Sequence, residues 1–236
     1  DRIIVALDVE SADEARQIVD ELSGRVGAFK IGLQLFAAAG PDFVRELTSA
    51  GHHVFLDLKF HDIPNTVANA GVEAAKMGVW MFNVHAAGGS EMMRETVRRV
   101  DEYCNANNAR RPLIIGVTVL TSSDDTTLNE IGVDSDAEAQ VLRFAQLAAT
   151  AGLDGVVASA KEARAIRTAV PRSDFLIVTP GIRPAFATTD DQRRVTTVRD
   201  ALDSGADHLV IGRPLIRAED RIAALEEIVS EAAGQN

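Results

Sequence analysis

Short runs of β-branched and aliphatic residues alternate along this chain with longer stretches whose apolar positions recur every three to four residues. The short runs predict strands at Ile3–Asp8, Ala28–Ile31, His53–Leu58, Met81–His85, Leu113–Val119, Gly155–Ala158, Phe175–Thr179 and His208–Ile211. The helical stretches between them include Ala12–Leu22, Asp42–Ala50, Pro64–Met77 and Ala137–Ala151. Gly51, Gly78, Gly152 and Gly205 stand where a helix end calls for a left-handed residue, and a phrase such as AG, MG or SGAD then leads into the next strand. No linker or low-complexity segment interrupts the series. Eight strand-then-helix units predict an α/β fold, a single (β/α)8 TIM barrel over residues 1–236. A doubly wound sheet would open with a glycine-rich turn after its first strand, whereas this strand ends Leu7-Asp8-Val9-Glu10.

Composition sharpens that picture in three places. Only 5% of residues are aromatic against 46% hydrophobic overall, so the core is built from aliphatic side chains, as in parallel sheets covered on both faces. The net charge of −11 comes without a basic stripe and argues against nucleic acid as a partner. The one cysteine, Cys104, rules out an internal disulfide; it reads as a helix packing residue and suggests a reducing, cytoplasmic setting. No stretch reaches the roughly 20 apolar residues of a membrane span, and Asp1–Val5 carries no signal-peptide pattern.

Barrel enzymes build their sites on the rim formed by the strands' C-terminal ends. The residues expected there are Asp8, Lys30, Asp57 with Lys59, His85, Thr121 with Ser122, Ser159, Pro180–Arg183 and Gly212-Arg213. A lone charge at a strand end is more often a structural ion pair than a catalyst, but here polar groups converge from every strand. The sharpest cluster is Phe55-Leu56-Asp57-Leu58-Lys59-Phe60-His61-Asp62-Ile63-Pro64-Asn65-Thr66. Strand alternation puts Asp57 and Lys59 on one face, so an acid and a base stand side by side at the barrel mouth. Pro64 suits the first turn of the following helix. A second cluster, Thr179-Pro180-Gly181-Ile182-Arg183 with Ile211-Gly212-Arg213, fits the phosphate site often found after the last two strands. Between them Ala185–Arg194 is polar and aperiodic and reads as a loop; Gln192 could swing over a ligand there, although spacing alone favours a solvated glutamine.

These motifs resemble the orotidine 5′-phosphate decarboxylase family, which completes UMP synthesis. The resemblance rests on Asp8 in ALDV, Lys30 in FKIG, the block DLKFHDIPNTV, VTVLTS around Thr121, TPGIRP, Gln192 and IGRP, and it runs from the first strand to the last helix. It implies a homodimer whose sites combine Lys30, Asp57 and Lys59 of one chain with Asp62 and Thr66 of its neighbour. Lys30, Asp57, Lys59 and Asp62 would be catalytic. Asp8, Lys30 and Thr66 would hold the ribose, Thr121 and Gln192 would meet the pyrimidine, and Gln192, Arg213 and the Gly212 backbone would hold the phosphate with Arg183 nearby. No metal or organic cofactor is implied.

The chemistry accounts for these residue types. Loss of CO₂ from the orotate ring leaves a carbanion, and an ammonium aimed at that carbon stabilises it and then supplies the proton. Lys59 would do this, with Asp57 and Asp62 as its counter-charges. One charge pair at about 4 Å contributes about 4 kcal/mol at an effective dielectric of 20. Enzymes lower barriers by about 8–23 kcal/mol, so the rest must come from remote binding that assembles the site. Two other readings are open at this point. A sugar-phosphate decarboxylase or aldolase on the same barrel would share the DxKxxD pattern but use Mg²⁺, with an acidic ligand where this chain has Lys30. A nucleotide-binding module would bind UMP without turnover.

Overall fold

The computed structural model describes residues 1–187 and 196–234. Its strands are β1 (Ile3–Ala6), β2 (Ala28–Gly32), β3 (Val54–Phe60), β4 (Met81–His85), β5 (Leu113–Val117), β6 (Gly155–Val157), β7 (Leu176–Thr179) and β8 (His208–Ile211). All pair in parallel with their sequence neighbours, and β8 returns to β1 through Ile4 opposite Val210, which closes the barrel. The helices are α1 (Ala12–Leu22), α2 (Leu33–Ser49), α3 (Pro64–Lys76), α4 (Gly89–Asn107), α5 (Asp125–Glu130), α6 (Ala137–Thr150), α7 (Ala160–Ala169), α8 (Val198–Asp203), α9 (Arg213–Ile216) and α10 (Arg221–Ala233). No helix among the described residues is long and apolar enough to cross a membrane.

The sequence expectations hold closely, with shifts at element ends and one in a helix start. Strand β3 runs past Leu58 to Phe60, and β1 and β5 leave the ladder at Ala6 and Val117, short of Asp8 and Val119. Helix α2 begins at Leu33 rather than Asp42, because it is two pieces joined at Gly40 (φ 71°, ψ −175°). Pro41 disfavours helical backbone at the residue before it, so the expected start at Asp42 marks the second piece. Local side chains also close helix starts. Ser11, Asp136 and Asp220 accept from the Glu14, Ala139 and Ala223 N–H groups at 3.2, 2.7 and 2.9 Å and cap their helices.

The barrel separates two apolar layers. Inside, Ile4, Ala6, Ala28, Phe55, Met81, Ile115, Val178 and Val210 pack together. Outside, alternate strand residues such as Leu56, Phe82 and Ile177 pack against the helices in a much larger cluster that includes buried Cys104. Burying one such side chain contributes about 1.5–3 kcal/mol. Gly155 is required where β6 meets β7, because a Cβ there would lie 2.3 Å from the Leu176 carbonyl oxygen. The repeated Gly-x-Asp phrase before β6 and β8 has a structural reason too. Asp154 and Asp207 accept the Ile114 and Ile177 N–H groups, each at 2.7 Å, and pair with Arg111 and Arg167. They brace the end of the barrel away from the rim, where stability rather than catalysis is served.

At that same end His53 stacks on Trp80 (centroids 5.5 Å apart, 19°), and Trp80 meets His208 edge-on (5.3 Å, 82°). Burial pushes the His208 imidazole below its ordinary value of 6.5, against a smaller opposing pull from Asp207. A base with a depressed folded pKa binds fewer protons folded than unfolded, so its contribution is complete above 6.5 and is lost as pH falls from there. The stability advantage of wild type over His208→Gln should therefore shrink on acidification. Urea unfolding across that window checks it, and an advantage constant down to about pH 5 would remove His208 from the acid response.

Candidate active site

Following each inward-facing row of the barrel towards the strands' C-terminal ends, aliphatic side chains give way to polar ones. Ile4 and Ala6 lead to Asp8, Ala28 leads to Lys30, Phe55 leads to Asp57 and Lys59, and Met81 leads to Asn83 and His85. The period of two continues while the chemistry changes, so charged groups arrive at the mouth on a rigid, apolar floor.

The charged groups join in a chain of alternating sign. Lys30 Nζ lies 3.1 Å from Asp8 Oδ1 and 3.3 Å from Asp57 Oδ2, and Lys59 Nζ lies 2.7 Å from Asp57 Oδ1. Asp57 thus takes one lysine on each oxygen. The side chains of Lys30 and Asp57 are only 10% and 13% exposed. Charges so far out of water are tolerated because each is paired. Lys59 is more open at 29%, as a group that must meet a ligand should be.

Lys59 is also strained. Its φ is +53°, a left-handed value that costs a side-chain-bearing residue about 1–3 kcal/mol. The cause is an irregularity in β3. Its register against β4 runs Phe55 to Met81 and Leu56 to Phe82, then resumes at Phe60 to Val84. Asp57, Leu58 and Lys59 therefore stand opposite Asn83 alone. Such bulges gather beside active sites, where they re-aim a side chain. Asn83 fills the gap, accepting the Lys59 backbone N–H at 2.8 Å and donating to Asp57 Oδ1 at 2.7 Å. Sequence reading passed over Asn83, although a polar residue on the inward row of Met81-Phe82-Asn83-Val84-His85 was a signal.

Two cavities meet at this array. One, of about 190 Å³, is bounded by Lys59, Asp57 and Lys30 on one side and by Phe55, Val157 and Val210 on the other, with Thr121 at its edge. It offers a flat apolar body and a charged side, which suits a planar ring. The other, of about 610 Å³, extends from Asp8 and Lys30 to Gly181, Arg183, Gly212 and Arg213. A side chain at Gly212 would lie 3.5 Å from Asp8 Oδ2, so the backbone there comes close to the charged chain. The two expected clusters thus border cavities that share Lys30, Asp57, Pro180 and Val210, the smaller at β3 and the larger reaching Arg183 and Arg213 beyond β7 and β8.

Other expected residues fall elsewhere. Asp62 is exposed, accepts the Ile63 N–H at 2.6 Å and makes no ion pair with Lys59 among the described residues. Thr66, on the first turn of α3, is exposed too, and neither residue borders the two cavities. Ile63 between them is 66% exposed. His85 stands at the rim with its ring 5.4 Å from His61, and its pKa is lowered chiefly by burial and then by the charges of His61 and Lys59. Gln192 lies outside the described residues.

Known proteins resemble this chain over nearly its whole length. A family model described as orotidine 5′-phosphate decarboxylase / HUMPS family matches residues 1–228. An orotidine 5′-phosphate decarboxylase of Syntrophotalea carbinolica is 54% identical over 232 residues, covering 98% of this chain and 95% of the relative. That of Moorella thermoacetica is 52% identical over 98% of this chain and 92% of its own length. A crystal structure of orotidine 5′-phosphate decarboxylase from Lactobacillus acidophilus superposes with a TM-score of 0.85 at 38% identity, over 98% of this chain and 99% of that one. The family model covers nearly the whole chain and relatives above 50% identity span it as fully, so the chain belongs to the orotidine 5′-phosphate decarboxylase / HUMPS family.

Proposed function

We propose that this protein decarboxylates orotidine 5′-monophosphate to UMP without a cofactor, in the cytoplasm, as a single catalytic barrel that works as a homodimer. The observation that carries the reading is the Asp8–Lys30–Asp57–Lys59 chain at the barrel mouth. A metal-dependent member of this barrel class would need an acidic ligand at the position of Lys30. Here an ammonium sits between Asp8 and Asp57, a cation already neutralising the carboxylates that a divalent ion would need. The relatives named above support the choice of substrate.

The chemistry runs through Lys59. The bond from ring carbon six to the carboxylate breaks, the electron pair stays on carbon six, and CO₂ leaves. The Lys59 ammonium, on the open side of Asp57, stabilises that pair and delivers a proton to carbon six, then regains one from solvent. Asp57 stands where the carboxylate departs, Asp8 and Lys30 hold the ribose, and Thr121 reads the ring edge. Arg213, the Gly212 backbone and Gln192 hold the phosphate, with Arg183 close by. Asp62 and Thr66 complete the neighbouring subunit's site; their exposure beside solvent-facing Ile63 fits an interface. The buried Cys104 fits a reducing cytoplasm, and recovery of the protein from an oxidising compartment would count against that placement.

The test is to mix the protein with orotidine 5′-monophosphate and EDTA and follow the ultraviolet change on conversion to UMP. Rapid loss of substrate is expected, at a rate EDTA does not alter. Activity lost to EDTA and restored by Mg²⁺ would favour the sugar-phosphate reading, and UMP binding without turnover the nucleotide-binding one.

A further inference from the structure

Asn83 is fully buried at 0% exposure on the inner row of β4, yet none of the roles assigned above belongs to it. Its amide meets two different parts of the charged chain. Oδ1 accepts from the main chain of Lys59, and Nδ2 donates to the Asp57 oxygen that also receives the Lys59 ammonium. The amide cannot be turned round, because that would set an NH₂ against an N–H and a carbonyl against a carboxylate. Where β3 bulges, this side chain supplies the acceptor that a regular partner strand would have offered. Lys59 is thereby held at both ends, its backbone directly and its ammonium through Asp57.

We propose that Asn83 is the positioning residue that aims the Lys59 ammonium, an inference that rests on the decarboxylation proposed above. Two substitutions separate aiming from space-filling. Asn83→Leu keeps the branched outline, with bulkier methyl ends, and loses both bonds. Asn83→Asp keeps the acceptor but sets a second carboxylate against Asp57. Once protonated, that acid is isosteric with the amide: its carbonyl oxygen faces the Lys59 N–H and its O–H donates to Asp57. Its proton should be held to higher pH than usual by the neighbouring negative charge.

Wild type and both variants are assayed side by side on orotidine 5′-monophosphate across a pH series, with UMP affinity and thermal unfolding measured on the same samples. For Asn83→Leu the expected fall in kcat is about a hundredfold, the scale of a small misplacement of a reacting group. KM and UMP affinity should stay within about threefold, because the ribose and phosphate contacts come from other strands. The Asn83→Asp rate, divided by that of wild type, should climb as pH falls, by up to roughly tenfold per unit. Should Asn83→Leu fail to fold, the Asn83→Asp pH ratio decides alone. Active wild type with kcat retained in the leucine variant, a flat pH ratio, or a loss confined to KM would overturn this inference and leave the function standing. Inactive wild type would overturn the function and this inference with it.

Discussion

Lys59→Ala should lower turnover of orotidine 5′-monophosphate by more than about 10²-fold, and by as much as about 10⁷-fold, while UMP still binds. Two losses combine in that figure. Removing a preorganised charge facing the developing carbanion costs about 10²–10³, and removing a positioned proton donor costs about 10²–10⁴. Both act on the same carbon, so the product of the two is an upper bound. The fold should survive, because Asp57 keeps Lys30 on its other oxygen and the Asn83 amide on the first. UMP lacks the carboxylate and its carbon six is already protonated, so its affinity hardly depends on Lys59. Calorimetry with UMP and steady-state rates on one preparation check both halves. Residual turnover above about one hundredth of wild type would sink the assigned role. The same variant tests the shared site. Mixed with Asp62→Ala subunits, it should regain activity, since a mixed dimer rebuilds one intact site, roughly a quarter of the wild-type number. No recovery on subunit exchange would place Asp62 in the site of its own chain.

The barrel was legible because its signals are local. Each strand is a short aliphatic run, several helices stop at a glycine, and Gly51, Gly78, Gly152 and Gly205 all adopt the positive φ expected of them. The pairing of Asp57 with Lys59 was legible for the same reason, since alternation along β3 sends both inward. The bulge at Asp57–Lys59 was not. Alternation records which face a residue takes and says nothing of which partner residue stands opposite, so the strain at Lys59 and the part played by Asn83 appear only once β3 and β4 are paired. Helix α2 went unread before Asp42 because Gly40-Pro41 looks like a helix start when it is a joint within one. Asp62 and Thr66 mark a different boundary. Their motif announces chemistry, but in the described chain both face solvent, and the partner chain of the proposed dimer would supply the contacts that the sequence pattern implies.

Arg213→Ala should damage kcat and KM together, lowering kcat/KM by about 10²–10⁴. A charge-assisted hydrogen bond to phosphate is worth about 1.5–3 kcal/mol, and a bidentate pair more. If that energy served only to hold the substrate, KM alone would rise. The geometry argues otherwise. Arg213 and Gly212 border the same cavity as Asp8 and Lys30, and Asp8 Oδ2 lies 3.5 Å from where a Gly212 side chain would begin. The phosphate end is thus continuous with the charged chain that ends at Lys59. On the proposed function, seating the phosphate would fix the ribose against Asp8 and Lys30, which in turn would set carbon six relative to the Lys59 ammonium. Energy gained at a distance is then spent on alignment, and it appears in kcat. Orotidine without its phosphate supplies the control. It should be a poor substrate for wild type, and Arg213→Ala should hardly worsen it, because the group that Arg213 recognises is already gone. A variant that slows orotidine as strongly as the phosphorylated substrate would show that Arg213 acts on the fold or on the array itself. A rise in KM with kcat intact would show that phosphate binding only anchors.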